Sequence, residues 1–527
     1  MKFVPTVAFL SALAAGTAIA GTWHVDPSSP QDGPGTSWPN AFHSIQDAVN
    51  AAATGDTVLV TNGVYQPITV SKNITLSSIN GPDVTLVDGS NTSRCAYVSG
   101  LATINGFSFV NGFANEGGGV LCDHGGTLEN CVISGNSATT KGGGVMCNVG
   151  GTLSNCTISG NSVTATSIGT DWGGGGVYYN FEGALNNCTI SSNSAAFTKG
   201  GGMFFYYAMG RYDWSQVRDC TIRNNDALYG GGIASTFGNY GVPVSANPIT
   251  GCIVAENTAT QSGGGAYLLC KVALHNCLIL SNYANSSGGG AYLGHGILNH
   301  CTITENSINL FGGSAGGVCS EGTGSMTNSI IYRNWKGTFE YNWNGIGTLI
   351  SCFTGEDPLQ QTNNPCIDAA LPIAGISDDF DGVPRPLDGD NNGTALPDIG
   401  AHEFVSSMAD TDNDLLTDAF EVDTLGTSPV DENTDGDPAG DYAEYVADTD
   451  GTDPSDWFRI LSITNHTLFF NASSNRLYTL SANTNLVEGS WGDVAGQTDI
   501  PGSGGVDSLT HPLPDPAGFY RIQVGLP

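Results

Sequence analysis

The side chains best suited to chemistry lie in an acidic run toward the carboxyl end of this 527-residue chain. Two loops of twelve residues, 23 residues apart, place an oxygen-bearing side chain at positions one, three, five, nine and twelve. These side chains are Asp410, Asp412, Asp414, Asp418 and Glu421, and then Asn433, Asp435, Asp437, Asp441 and Glu444. A hard cation takes about six to eight oxygen ligands, and this spacing wraps them around one point. The sequence therefore predicts two structural Ca²⁺ sites.

The acidic run resembles the thrombospondin type 3 and EF-hand-like calcium repeats of bacterial surface proteins. The sixth position of such a loop is usually glycine, but here it is Leu415 in the first loop and Pro438 in the second. Each of these residues is expected to weaken its site or to shift the turn. A solvated acidic linker that holds no ion is the alternative interpretation.

A second set of candidate residues lies between Trp172 and Tyr240, where 14 aromatic side chains are concentrated. Aromatic rings beside polar side chains suit a sugar, which has apolar faces and hydroxyl edges. The predicted ligand-binding residues are Trp172, Tyr206, Tyr207, Arg211, Tyr212 and Trp214. The alternative is that these aromatics stack inward in the core while the charged residues pair at the surface.

The scaffold for these candidates is a repeated phrase, first seen from Asn130 to Asn136. Its copies follow at steps of 25, 32, 32, 32, 25, 24 and 28 residues, with a glycine cluster in every interval. Self-similarity of this kind is the signature of a solenoid. One position holds Cys131, Cys156, Cys188, Cys220, Cys252, Cys277 and Cys301. Side chains stacked in register point in parallel, so we expect mostly free buried thiols. The closing Asn, as in Asn136, is expected to turn left-handed and to bond to its copies.

The residues before the repeats predict a cap. Ile45, Ala48, Val49 and Ala52 share one face of a predicted helix, which would cover the open edge of a first coil. Four short stretches resemble the pectin-lyase-like superfamily, which implies a right-handed parallel β-helix. They are Ser44–Val49, Gly55–Val60, Asn62–Tyr65 and Ile74–Leu76. The pairing of glycine clusters with Ile-x-x-Asn also resembles the repeats of chlamydial polymorphic outer membrane proteins, which are surface adhesins.

The predicted fold class is all-β, a right-handed parallel β-helix solenoid with an N-terminal helical cap, an acidic calcium-loop linker and a small C-terminal β-sandwich. The predicted boundaries are a signal peptide (1–20), an extended N-terminal segment with the cap helix (21–57), β-helix repeats (58–363), a closing segment (364–407), calcium-binding acidic repeats (408–456) and a β-rich C-terminal domain (457–527).

Catalysis is a rival hypothesis. Pectin-lyase-like enzymes that cleave acidic sugars use a Lys or Arg base, often near carboxylate-bound calcium. This resemblance makes Arg218, Arg223 and Asp219 candidate catalytic residues. Glycosidases need two carboxylates at a defined separation. Glu256 and Glu305 share one repeat position two coils apart, although a glutamate on a repeat surface is usually only solvated.

Net charge and the amino-terminal residues limit the possible partners and the location of the protein. The chain has 15 basic and 49 acidic residues, a net charge of −34, which argues against nucleic-acid binding. Lys2, the apolar run Val4–Ala15 and Ala18–Ala20 predict a secretory signal, and no later stretch is long and apolar enough to span a bilayer. We therefore expect a secreted or cell-surface protein.

Three functions fit these features. The favoured hypothesis is a surface protein with structural calcium that binds extracellular polysaccharide or a cell-surface glycan, or mediates adhesion. The first alternative is a polysaccharide lyase or glycoside hydrolase that acts on extracellular polysaccharide. The second alternative is a purely structural surface protein.

Overall fold

A computed structural model describes residues 20–167, 169, 171–181, 183–207, 216–237, 247–355, 358, 364–484, 490–512 and 518–527. The predicted signal peptide, apart from Ala20, lies outside these residues. The chain divides into two compact units. Unit 1 comprises Met1–Met326 and Ile331–Leu349, and unit 2 comprises Thr327–Ile330 and Ile350–Pro527. Among the described residues, no helix has both the length and the apolar character needed to cross a membrane.

Unit 1 is built from three sheets whose strands run parallel from coil to coil. The strands of the first sheet are Thr22–Val25, Thr57–Val60, Ile68–Val70, Thr75–Ser78, Ala96–Asn105, Val120–Glu129, Val145–Cys147, Thr152–Ser154, Val177–Tyr179, Ala184–Asn186, Met203–Tyr207, Gln216–Arg218, Ile233–Phe237, Asn247–Thr250, Ala266–Leu268, Val272–His275, Ala291–Leu293, Ile297–Asn299, Val318–Ser320, Ser325–Thr327, Trp343–Gly345 and Thr348–Ile350. The strands of the second sheet are Gly63–Tyr65, Thr85–Asp88, Ser108–Val110, Val132–Ser134, Thr157–Ser159, Thr189–Ser191, Thr221–Arg223, Ile253–Ala255, Leu278–Leu280, Thr302–Thr304 and Ile330–Tyr332.

The third sheet contains Phe113–Glu116, Ser137–Lys141, Ser162–Val163, Ser194–Lys199, Asp226–Tyr229, Thr258–Ala259, Tyr283–Ala284, Ser307–Ile308, Trp335–Lys336 and Phe339–Glu340. Its last two strands pair antiparallel. Each coil of the repeat therefore passes through all three sheets, as the sequence predicts for a parallel β-helix.

The core of the β-helix consists of rows of identical or similar side chains. Ile133, Ile158, Ile190 and Ile222 lie in register on the second sheet and are fully buried. All fourteen cysteines lie in the described part of the chain, where none forms a disulfide bond and thirteen are buried. The thiols at the shared repeat position donate to backbone carbonyls, as Cys131 does to Glu129. They act as small core fillers, as their repeat position predicts.

The closing asparagines of the repeat form a buried ladder. Each side-chain amide donates to the side-chain oxygen of the next copy, as Asn193 does to Asn225 at 3.0 Å, and the same oxygen accepts the backbone N–H of Asn193. The predicted bonding along the stack is confirmed. The predicted left-handed conformation of the closing Asn is wrong. The positive φ occurs instead at the opening residue, such as Asn130, and at the residue before the closing Asn, such as Asn224.

A glycine cluster lies where each coil enters the first sheet. Gly142 has a φ of +60°, and a Cβ on Gly143 would lie 2.4 Å from the backbone oxygens of Gly175 and Ser162. Only glycine fits this close approach of neighbouring coils.

A helix covers the start of the β-helix. A 3₁₀ turn, Trp38–Asn40, precedes helix α1, Ile45–Ala51, whose buried residues are Ile45, Ala48 and Val49. The Ser44 side chain accepts the backbone N–H of Asp47 at the start of α1. At its end, Lys72 Nζ donates to the carbonyls of Val49, Asn50 and Ala52, which would otherwise lack partners.

Unit 2 begins with an irregular closing segment. Arg385 is buried there, with Nη1 3.5 Å from the Glu403 carboxylate and hydrogen bonds to the carbonyls of Asp398 and Gly400. The neighbouring His402 points away and contacts Asp381 at 2.9 Å. The adjacent side chains His402 and Glu403 therefore do not form an acid/base pair.

The rest of unit 2 holds the acidic loops and two antiparallel sheets. The helical elements are α2 (Asp418–Phe420), a π-helical turn (Glu421–Leu425) and α3 (Asp441–Ala447). One sheet contains Ile460–Thr464, Thr467–Asn471 and Val506–Thr510, and the other contains Leu477–Asn483, Gly492–Asp493, Ile500–Pro501 and Phe519–Gly525. Both sheets contribute to one apolar core, which includes Phe470, Tyr478 and Leu480. We call residues 457–527 the C-terminal β domain.

Candidate metal centre and ligand-binding face

The first acidic loop brings its carboxylates to one point. One oxygen each of Asp410, Asp412 and Asp414 lies within 4.8 Å of the others. The loop is shaped by its own backbone, because Asp410 accepts the N–H of Leu415 and Asp414 accepts the N–H of Leu416. Glu421, which begins the π-helical turn, is completely buried.

The second loop repeats this arrangement. Oxygens of Asp435, Asp437 and Glu444 lie within 4.8 Å of one another, and Glu444 is 1% exposed. Asn433 is held in the loop, because its Oδ1 accepts the N–H of Gly436 and its Nδ2 donates to the Asp437 carbonyl. The amide oxygen of Asn433 is thus turned into the loop with the carboxylates of its neighbours.

Six carboxylate oxygens in the two loops are buried without a protein hydrogen-bond donor. They belong to Asp410, Asp412, Glu421, Asp435, Asp437 and Glu444. Burying a carboxylate oxygen without a partner is costly, so such groups normally pair with a cation or coordinate a metal. The oxygens belong to the first, third and twelfth positions of loop 1 and the third, fifth and twelfth of loop 2. The residues present therefore fit a hard cation.

The two loops also approach each other. Oxygens of three carboxylates lie within 4.8 Å of one another: those of Asp414 and Glu421 in the first loop and that of Asp441 in the second loop. Asp414 also accepts the backbone N–H of Tyr442 at 3.2 Å. The second loop therefore adds negative charge to the first site, and one ion would face carboxylates from both loops.

The ninth-position carboxylates also bond within their own loops. Asp418 accepts the backbone N–H and the hydroxyl of Thr411, both at 2.8 Å, and Asp441 binds Thr434 in the same way at 3.0 and 2.7 Å. Each Asp thus closes its loop by bonding to the second position. The threonines were missed in the sequence, although their shared second position was a visible signal.

The backbone shows how each loop turns without glycine at its sixth position. Leu415 adopts a left-handed φ of +87°, and its side chain is 71% exposed. The fourth position is left-handed in both loops, at a φ of +65° for Asn413 and +75° for Gly436, but Pro438 at the sixth position of the second loop is not left-handed. A leucine in the left-handed region is strained, so the sixth position of the first loop carries backbone strain that the sixth position of the second loop lacks.

Burial and mutual repulsion raise the pKa values of these carboxyls. Burial is the main cause, and neighbouring carboxylates add to it, so the pKa of Glu421 rises to about 8 and that of Asp412 to about 6. The pKa of Glu444 rises to about 7 for the same reasons. The pKa values of Asp418 and Asp441 are also raised, chiefly by burial. Such shifts show how unfavourable the negative charges are together without a cation.

Two other acidic clusters provide a contrast. Asp379 approaches Asp381 and His402, and Asp368 approaches Asp388 and Asp390. The Asp379 carboxylate already accepts the backbone N–H groups of Asp381, Val383 and Glu403. Asp368 likewise accepts the N–H of Asp390 at 2.8 Å. These carboxylates stabilise turns of the closing segment.

Of the nine aromatic side chains described between Trp172 and Tyr240, four are buried, four are half-buried and Phe197 is exposed. Tyr179 and Phe205 stack inside the β-helix with ring centroids 5.4 Å apart. Tyr178 and Phe204 lie on the outward face of the first sheet but are also completely buried. The amines of Lys141 and Lys199 lie over these two rings, at 5.5 and 6.0 Å from the centroids.

The predicted ligand-binding residues fall into two groups. Trp172 and Tyr206 are half-buried, and Tyr206 packs against the buried cluster that contains Tyr178 and Phe204. Tyr207 ends a strand of the first sheet, but its side chain lies outside the described part of the structure. Arg211, Tyr212 and Trp214 lie outside the described residues altogether.

A different part of the same face is more open and was missed in the sequence. Tyr267 and Tyr292, in register on the first sheet, are half-buried and stack with centroids 5.0 Å apart. The next side chain in the row is the much smaller Cys319, which lines a pocket of about 280 Å³ with Ser320, Glu321 and Asn344. Glu321 accepts the Tyr292 hydroxyl at 2.7 Å. The Ala-Tyr-Leu phrase repeated at 266–268 and 291–293 was the available signal.

The candidate catalytic residues are exposed. Arg218 ends a strand of the first sheet, Asp219 follows it with a φ of +54°, and Arg223 ends the next strand along the chain. No ion pair among the described residues joins either arginine to Asp219. Glu256 and Glu305 both precede a closing Asn, and Glu305 pairs with Arg333 at 2.9 Å.

Comparisons with known proteins agree on the fold. A family profile described as a right-handed β-helix region matches residues 57–273. Together with the three parallel sheets, this match supports a right-handed parallel β-helix fold for this part of the chain. No curated protein sequence matches significantly. The resemblance to chlamydial proteins and to calcium repeats stays a prediction.

Three solved structures are similar to the chain. Pectate lyase Pel9A is 13% identical, with 73% of this chain and 97% of that chain covered and a TM-score of 0.37. XylC, in complex with xylose, is 9% identical, with 73% and 98% covered and a TM-score of 0.39. Pectin methylesterase PemA from Erwinia chrysanthemi is 14% identical, with 50% and 80% covered and a TM-score of 0.30. Likeness at this level concerns the fold alone.

Proposed function

We propose that the chain is an exported β-helix protein that holds two structural Ca²⁺ ions in its acidic loops and binds an extracellular glycan on its first sheet. The observation that carries the calcium proposal is the set of six buried carboxylate oxygens without a protein partner. A solvated acidic linker would expose such oxygens to water, whereas here Glu421 and Glu444 are 0% and 1% exposed.

The donor set favours calcium over other metals. Asp410, Asp412, Asp414 and Glu421 would hold the first ion. Asn433, Asp435, Asp437 and Glu444 would hold the second ion. All of these side chains offer oxygen, which suits Ca²⁺, whereas Zn²⁺ and copper favour sites with histidine or cysteine. When bound, the ions would neutralise the packed carboxylates. Asp418 and Asp441 would then keep the loops closed through Thr411 and Thr434.

Thermal unfolding of the full chain tests the calcium sites. We expect calcium to raise the unfolding midpoint of the wild-type protein, because a ligand that binds only the folded state stabilises it by about 2.7 kcal/mol at one hundred times its Kd. The double variant Asp412→Ala, Asp435→Ala should lose this increase. The control Asp423→Ala, Glu432→Ala removes two exposed carboxylates and should keep it. A double variant that responds to calcium as the wild type does would refute the loop assignment.

The open tyrosine row supports the glycan part of the proposal. Tyr292 is the last ring of the row, and the pocket that follows offers a carboxylate from Glu321, an amide from Asn344 and a buried Ser320 hydroxyl without a partner. A sugar combines apolar faces with hydroxyl edges, so it can contact a ring and these polar groups at once. We therefore propose that the glycan site lies on later coils of the same sheet than the predicted residues Trp172 to Trp214.

Glycan-array binding tests this site. The wild-type protein is expected to bind a subset of plant or microbial polysaccharides, and Tyr292→Ala and Glu321→Gln are expected to weaken that binding at least tenfold. Tyr283→Ala is the matched control, because Tyr283 is a half-buried tyrosine on the third sheet. Binding that survives both pocket variants would place the site elsewhere, and a wild type that binds no glycan would favour the purely structural alternative.

The catalytic alternative has a separate test. Incubation with uronate polymers, followed by analysis of chain length, would detect cleavage. If cleavage occurred and Arg218→Ala and Arg223→Ala left it unchanged, these arginines would not be the base of a lyase.

A further inference from the structure

Helix α3 links the second acidic loop to the C-terminal β domain. Its first turn carries Asp441 and Glu444, which are buried in the acidic clusters. Its last turn ends in the carbonyls of Tyr445 and Val446, which accept hydrogen bonds from Nη2 and Nε of Arg476, both at 2.6 Å. Arg476 belongs to the C-terminal β domain and is 8% exposed. The first turn of α3 is thus held in the acidic loops, and its last turn is held by Arg476 of the C-terminal β domain.

The guanidinium of Arg476 makes further contacts at this helix end. Asp448, with a left-handed φ of +63°, ends α3, and its carboxylate lies 3.2 Å from Arg476 Nη2. The hydroxyl of Ser473 donates to the same carboxylate. Arg476 also lies 5.9 Å from the centre of the Tyr445 ring, which contacts Phe420 edge to face at 5.2 Å. Phe420 directly precedes the ligand candidate Glu421, so the contacts reach both loops.

A helix of seven residues has little stability of its own, because the cost of its first turn is spread over few hydrogen bonds. α3 therefore depends on what holds its ends. A cation would fix the first turn by neutralising Asp441 and Glu444, and Arg476 fixes the last turn by satisfying carbonyls at the negative end of the helix dipole. Each of these interactions favours the same ordered helix.

We infer that Arg476 couples calcium binding in the second loop to docking of the C-terminal β domain. The inference rests on the proposed calcium sites. Because coupling between two sites is reciprocal, calcium must strengthen docking by the same factor by which docking strengthens calcium binding. The acidic segment is then a calcium-dependent joint, and Arg476 is a positioning residue for an ion that it does not touch.

Two measurements on the full chain test the coupling. The first is a calorimetric calcium titration, in which Arg476→Ala should weaken one of the two sites about fivefold or more while the other changes less. The second is limited trypsin digestion. Arg459 is the one Lys or Arg between Arg385 and Arg476, and it is exposed at the start of the C-terminal β domain. Calcium should slow cleavage after Arg459 in the wild type and should slow it much less in Arg476→Ala.

Matched variants separate coupling from loss of folding. Asp448→Asn weakens a partner of Arg476 without removing a core side chain, and it should shift the same calcium site in the same direction by a smaller factor. Arg521→Ala removes an exposed arginine over the Trp491 ring and should leave both measurements unchanged. Unchanged calcium affinities and unchanged calcium protection in both Arg476→Ala and Asp448→Asn would overturn the coupling. A wild type that binds no calcium would instead refute the proposed calcium sites on which the coupling rests.

Discussion

The asparagine ladder of the β-helix and the acidic loops of unit 2 both bury repeated polar side chains, but they satisfy them in opposite ways. In the ladder, Asn225 Oδ1 accepts two hydrogen bonds from Asn193, and its amide donates to Ile190 and Asn257. In the loops, acidic side chains from different loop positions meet, and oxygens of Glu421 and Glu444 have no protein donor.

This difference distinguishes scaffold from site. An amide carries both donors and an acceptor, so identical copies can satisfy one another along a stack. A carboxylate only accepts, so identical copies repel and need a cation. Repeated asparagines therefore stabilise the scaffold, whereas repeated buried carboxylates point to a cation site.

The largest expected effect comes from breaking the ladder. Asn225→Leu would remove the partner of two Asn193 donors and of the Ile190 carbonyl inside the core, and Asn257 Oδ1 would keep only the backbone N–H of residue 225. At about 1–3 kcal/mol for each buried unsatisfied group, we expect a loss of roughly 3 kcal/mol or more in the free energy of unfolding. Urea unfolding should show the loss equally with and without calcium. Asn224→Gly, at an exposed left-handed position, is the control. A loss below about 1 kcal/mol in Asn225→Leu would argue against a self-sufficient ladder.

The next effect is a pH dependence of unit 2, to which the loops contribute together with Asp398 and Glu403 of the closing segment, whose pKa values burial raises to about 6 and about 7. In the folded chain the pKa of Glu421 is raised to about 8 and that of Glu444 to about 7, from an ordinary 4.5. A carboxyl with a raised folded pKa holds its proton more tightly in the folded state. Its contribution is therefore present at low pH and lost as the pH rises from about 4.5 to 8. With a chelator, the unfolding midpoint of unit 2 should fall between pH 5 and pH 8, and saturating calcium should reduce this fall. A midpoint that rises with pH in the chelator would contradict the burial of these carboxylates.

A smaller effect sharpens the comparison between the two loops themselves. Leu415→Gly should relieve the left-handed strain at a side chain that is mostly exposed. Relief of about 1 kcal/mol should appear as an increase of that size in the free energy of unfolding. Pro438→Gly is the control in the second loop, where the sixth position is not left-handed, and it should give no gain. Calorimetry would measure both, and equal gains would show that the sixth position is not the strained one.

The smallest effect concerns the cysteine row. Cys220→Ala should cost about 1 kcal/mol in the free energy of unfolding, because it removes one buried sulfur and leaves a small cavity. Because all of these thiols are free, reducing agents should not change the stability of the wild type. A large drop in stability with a reducing agent would indicate disulfide bonds.

The repeat allowed much of the fold to be predicted. The period of the phrase around Cys131 indicated the solenoid, and Ile45, Ala48 and Val49 indicated the cap helix. The handedness of the turns was not predicted correctly, because a closing Asn bonded along a stack does not need the left-handed region. The left-handed residues are the opening residue, such as Asn130, and the residue before the closing Asn, such as Glu256.

The candidate sites were only partly predictable. The spacing indicated which acidic side chains share a loop, but it did not show that Asp418 and Asp441 would bond to threonines. Aromatic density pointed to Tyr178 and Phe204, which the structure buries. A tyrosine lies beside a pocket when the next residue in register is small, as Cys319 is after Tyr292. The sequence does not show which residues of neighbouring coils are in register, so this pocket was not predicted.

The most direct test is a count of calcium ions per chain after the full-length protein has been loaded with calcium and dialysed against metal-free buffer. The account predicts two ions in the wild-type chain and none in Glu421→Gln, Glu444→Gln, which alters the buried carboxylate that closes each loop. A wild-type chain that retains fewer than two ions, or a double variant that retains both, would contradict the claim that these buried oxygens form two cation sites.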